Sequence, residues 1–110
     1  MADAPDPDRT GAVERVRDAL RDAVHSLEAG DRLRLSYYHV QGLTLAAIGR
    51  LTGEHEATVS RKLTRTRARV RADVERMLHE RHRMTPEEIE LCYRHVIEDP
   101  SVDVRVLVDG

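Results

Sequence analysis

The sequence predicts an all-α fold: a compact helical bundle in which two helices meet across a tight turn, followed by an extra helix and an extended tail. Three observations predict it. Apolar residues recur at steps of three or four along most of the chain, most clearly at Val59, Leu63, Thr66, Val70, Val74 and Met77, which keeps one face of a long helix inward. Helix starts and stops punctuate that pattern, with Thr44 able to cap a short helix and Gly53 able to supply a tight turn. The 110 residues contain no Trp or Phe and three Tyr, so the core of this single small domain is aliphatic.

In chain order, Met1 to Asp8 has prolines and aspartates but no hydrophobic pattern, and residues 1–10 read as a disordered leader or the remnant of a linker. From about Gly11, the stripe Val13, Val16, Leu20, Val24 and Leu27 marks an amphipathic helix, with Gly30 as its expected left-handed C-cap. Asp31 then caps a helix running to Gln41. Leu33, Leu35, Tyr37, Tyr38 and Val40 are its apolar candidates, and Gly42 is its terminator. After Thr44, Leu45, Ala47, Ile48 and Leu51 form the apolar face of a short helix that ends at Gly53. The long helix follows and stops in the polar run Glu80 to Arg83, which places the main domain at residues 11–82. Residues 83–110 form a C-terminal helix and tail. Thr85, Pro86 and Glu88 make a capping box, and Ile89, Cys92, Tyr93 and Val96 are the buried face. Asp99-Pro100 stops that helix. In the tail, Val102, Val104, Val106 and Val108 alternate with other residues at strand-like spacing, yet a single strand has no partner in a helical chain.

Charge is polarised along this plan. The chain as a whole carries a net charge of −2. From Ala57 to Ala72, however, there are six cations (Arg61, Lys62, Arg65, Arg67, Arg69 and Arg71) and no acidic residue. A solvated helix usually mixes signs at i, i+4, whereas an uncompensated run steers its helix toward a polyanion. So few aromatic residues argue against a single-strand stacking platform, and duplex DNA is the expected partner.

The run Asp31 to Val70 resembles region 4 of bacterial sigma-70-type RNA polymerase sigma factors, and within them the extracytoplasmic-function group. The matching residues are Arg32 and Leu35, Gly42-Leu43-Thr44, Ile48-Gly49, Gly53, and Thr58-Val59 followed by Lys62-Leu63, Arg65 and Arg67. This likeness covers roughly half the chain, about Leu27 to Leu78. It implies a sigma region 4-like, winged-helix-like DNA-binding domain whose helix-turn-helix reads a promoter −35-type element. It further implies docking on the RNA polymerase beta flap and occlusion by an anti-sigma factor. Matched to that pattern, Glu56, Ala57, Ser60 and Arg61 face the bases. An Arg61 guanidinium can bond both acceptors of a guanine, and Ala57 or the Thr58 methyl can pack on a thymine methyl. Lys62, Arg65 and Arg69 are phosphate ligands, with Thr44 at a helix N-terminus taking one more. Glu54 stands where the family's turn has an apolar residue, and His55 where Ser or Thr usually caps.

Nothing resembles the upstream region 2 of a complete sigma factor. The chain therefore reads as the promoter-reading domain alone or as a small regulator built on it. The alternative is a sigma-like interaction module that binds polymerase or an anti-sigma factor with little DNA specificity. The pair His79 and His82 lacks zinc-protease spacing, Cys92 has no second thiol, and no catalytic or phosphate-loop motif occurs, so neither an enzyme nor a cofactor is expected. With one Cys and no signal or membrane-spanning run, a cytoplasmic protein is the simplest reading.

Overall fold

A computed structural model describes residues 7–97, which form five α-helices and one π-helical segment. In order these are α1 (Pro7–His25), α2 (Ala29–Leu35), the π segment (Ser36–Val40), α3 (Leu45–Thr52), α4 (Glu56–His82) and α5 (Pro86–Ile97). No strand occurs among the described residues, and no helix there is long and apolar enough to cross a membrane. The expected Asp99-Pro100 stop and the Val-rich tail lie outside the described residues.

The centre of the bundle is α4, because its inward stripe is long enough to serve every neighbour. Val59, Leu63, Thr66, Val70, Val74 and Met77 are all buried, as their spacing predicts. Helices α2 and α3 pack on α4, and α1 packs on both α4 and α5. The α1 stripe is broader than expected. Val13, Val16 and Leu27 are buried and Leu20 and Val24 partly so, but Ala12, Ala19 and Ala23 are buried as well. Helix α1 also opens at Pro7, ahead of Gly11. Ile89, Cys92, Tyr93 and Val96 bury the inner face of α5 as expected. Burial pushes the Cys92 thiol above its usual range. Tyr93 donates to Glu75 Oε1 at 3.4 Å while the Arg71 guanidinium lies 5.4 Å from its ring centroid.

Two expected caps are corrected. Gly30 does not end α1 in a left-handed conformation; it lies in the first turn of α2, and α1 has already stopped at His25. The stop is made locally by Ser26 Oγ donating to the Ala23 carbonyl at 2.8 Å and by Leu27 turning into the core. Asp31 is inside α2 and pairs with Arg34 at 3.1 Å, while the N-cap position belongs to Glu28, whose side chain makes no cap bond.

The apolar face expected up to Val40 is also corrected. Leu35 is buried and Tyr37 half-buried, but Leu33, Tyr38 and Val40 are exposed, Val40 by 78%, and His39 is buried in their place. Leu33 is exposed on α2 itself; for the residues that follow, the cause is the π segment. Gln41 N donates to Ser36 O at 3.0 Å, five residues back, so the wider turn shifts every later side chain off the α-helical stripe. Gly42 ends the segment at φ 67° as expected, and Leu43 N closes the turn on Tyr37 O at 2.9 Å. In α3, Ile48 is buried, but Leu51 is 61% exposed rather than part of the core.

Candidate nucleic-acid interface

The α3–α4 connection is held at a separation that only glycine permits. Thr44 caps α3, its Oγ1 accepting from Ala47 N at 3.1 Å, and Gly53 turns the chain at φ 71°. Glu54 N then donates back to Gly49 O at 2.8 Å. A Cβ at Gly49 would meet the Glu54 carbonyl oxygen at 2.5 Å, so the backbones approach across a face that no side chain can occupy.

The Glu54 side chain is the electrostatic anchor of that turn. Arg34, on α2, grips its carboxylate with two bonds, from Nε at 2.8 Å and from Nη2 at 3.1 Å. Lys62, on α4, donates to Oε2 from the other side. These two cations, Arg34 first, hold the Glu54 carboxyl at about 2, well below its ordinary value of 4.5, so it stays ionised throughout the neutral range. With the Asp31–Arg34 pair, the cluster ties α2, the turn and α4 together at no net charge. Sequence reasoning missed Arg34 because its partner lies 20 residues away and no periodic pattern joins them.

Helix α4 begins beyond this clamp. His55 is extended at the N-cap, and its side chain makes no cap bond. Glu56 and Ala57 are exposed, Thr58 and Ser60 half-buried, and Arg61 exposed, with its Nη2 donating to Thr58 Oγ1 at 3.2 Å. The six cations then divide by face. Arg61, Arg65 and Arg69 succeed one another four residues apart and are all exposed, forming one ridge. Lys62 turns to Glu54, Arg67 lies 5.7 Å from the Tyr38 ring centroid, and Arg71 lies over Tyr93. Arg69, itself exposed, has half-buried Asp73 at 3.9 Å, a pair too long to hold it firmly. The structure thus brings Glu56, Ala57, Thr58, Ser60, Arg61, Arg65 and Arg69 onto one helix, with Thr44 at the start of the preceding one. Of the expected site residues, it turns Lys62 inward.

Past Asp73 the character of α4 changes. Arg71–Glu75 and Arg76–Glu80 pair at i, i+4, each at 3.2 Å, and Arg81 reaches Asp22 of α1 at 2.7 Å. His79 Nδ1 lies 3.1 Å from the Met84 carbonyl, and no group of three or more metal-ligating side chains occurs among the described residues. Compared with known proteins, the chain matches no family model, no curated protein and no solved structure.

Proposed function

We propose that the chain is a sequence-specific double-stranded DNA-binding domain acting in transcription initiation, with α3 and α4 as a sigma region 4-like helix-turn-helix that reads a promoter −35-type element. The observation that carries this reading is the exposed ridge Arg61, Arg65 and Arg69, which continues from exposed Glu56 and Ala57 and half-buried Thr58 and Ser60 at the start of α4. A helix presenting its first turn to base edges and a row of arginines to the flanking phosphates has the layout that major-groove recognition requires. Arg61 reads a base. Arg65 and Arg69 neutralise phosphates, and the Thr44 end of α3 takes a further one. The domain works in the cytoplasm, where promoters are.

A second reading has its own support. Leu20, Val24, Leu35 and Val40 line an apolar cavity of about 210 Å³ with Arg32 at its rim, a surface suited to a protein partner such as RNA polymerase or an anti-sigma factor.

Selection of bound duplexes from a random pool, at low and at physiological salt, tests the first reading. It expects a short enriched motif bound more tightly than unselected DNA at both salts, and Arg61→Ala should relax preference at one position of that motif. Absence of enrichment, or an Arg61→Ala profile identical to the native one, would shift the function to the protein partner.

A further inference from the structure

We infer that Glu54 is an internal competitor for DNA phosphate: by holding the Lys62 ammonium against a carboxylate that Arg34 pins in place, it removes one cation from the duplex-binding face and sets an upper limit on affinity. This rests on the DNA-binding reading of α4 and deepens it. Lys62 lies one residue from Arg61, beside the exposed ridge of Arg61, Arg65 and Arg69, so by position alone it would be a phosphate ligand. Its charge is nevertheless already matched. Glu54 cannot follow Lys62 toward a phosphate, because Arg34 binds both of its oxygens, at 2.8 and 3.1 Å, and Arg34 is itself braced by Asp31 at 3.1 Å. The carboxylate is only 14% exposed, so water screens the pair less than it would a pair on the open surface. Lys62 can reach a phosphate only by leaving an anion behind with its second oxygen half-satisfied.

Counterion release turns this into a measurable difference. Each cation that meets a phosphate steepens the dependence of log affinity on log salt by about 0.9. In the native chain that term comes from Arg65 and Arg69, the phosphate ligands of the ridge, and Lys62 contributes none. The free module is thereby kept from settling firmly on unselected duplex, and its occupancy depends on finding its element.

The test measures duplex affinity against salt for five full-length proteins: native, Lys62→Ala, Glu54→Gln, the double variant and Arg65→Ala. Glutamine at position 54 keeps an oxygen for Arg34 but releases Lys62. Glu54→Gln should steepen the slope by about one unit and tighten binding to all duplexes about fivefold near physiological salt. Lys62→Ala should leave the native slope unchanged and should abolish the gain in the double variant. A flattening of about one unit in Lys62→Ala alone would overturn the inference, as would an unchanged slope in folded Glu54→Gln. Lys62→Ala retains the Arg34–Glu54 clamp, so that arm can overturn the inference even if Glu54→Gln does not fold. Arg65→Ala separates the two levels: a slope flattened by about one unit sustains the DNA-binding reading whatever Glu54 does. No effect of Arg65→Ala would overturn that reading, and the inference with it.

Discussion

Helix α4 is entered and left through turns that share a backbone and differ in everything attached to it. Before α4, Gly53 adopts the left-handed conformation at φ 71°, and the capping residue His55 makes no cap bond. After it, Arg83 adopts the same conformation at φ 53°, and Thr85 then exchanges two bonds of 3.2 Å with Glu88, backbone to side chain in each direction. The later turn is stabilised by neighbours in sequence. The earlier one is stabilised at long range by the Arg34–Glu54–Lys62 cluster and leaves the first turn of α4 without a side-chain cap. The contrast shows two ways to fix the position of a helix end: by charge brought from a distant helix, or by a side-chain cap from the next few residues.

The sharpest way to break the earlier turn is Gly49→Ala. With only 2.5 Å between the new Cβ and the Glu54 carbonyl oxygen, the turn must open, and a loss of about 3 kcal/mol is expected in denaturant unfolding. A loss below about 1 kcal/mol would mean that the two backbones can separate cheaply.

Acid provides the next test. Because the folded-state pKa of Glu54 is lowered from 4.5 to about 2, its contribution is complete above 4.5 and is lost as pH falls from there toward 2. Glu54→Gln should therefore be less stable than the native protein at neutral pH, and the difference should close across that acidic window. Urea midpoints measured through the window decide it, and a gap independent of pH would show that the cluster does not hold the turn by charge.

The smallest effects should come from the caps, with opposite signs at the two ends. Thr85→Ala is expected to cost about 1 kcal/mol, whereas His55→Ser, which supplies the missing cap, should add up to about 1 kcal/mol. Paired thermal melts of the two variants check this. Equal losses in both would erase the distinction between the two turns.

What the sequence made legible follows the same division between local and distant causes. The inward stripe of α4, the capping box at Thr85 and Glu88, and the turns at Gly42 and Gly53 each depend on residues within a few positions, and each is where the pattern places it. The α2 region departs from its pattern because one wide turn at Ser36–Val40 changes the helical period, exchanging His39 for Val40 in the interior, and no local composition announces it. At the candidate site, the cationic run was plain, but its division into an exposed ridge and a set drawn to Glu54, Tyr38 and Tyr93 was not. That division depends on where Glu54, Tyr38 and Tyr93 come to rest in three dimensions.

The uninterrupted course of α4 has a mechanical consequence. Its 27 residues contain neither glycine nor proline and span about 40 Å as one rod, in contrast to the jointed α2 region beside it. Along its length the rod packs on α1, where Arg81 reaches Asp22 at 2.7 Å, and Glu75 accepts from Tyr93 of α5. Because its other end is held as well, by α2, α3 and the Arg34–Glu54–Lys62 cluster, the rod acts as a strut that keeps the turn before Arg61 at a fixed distance from the α1 contact.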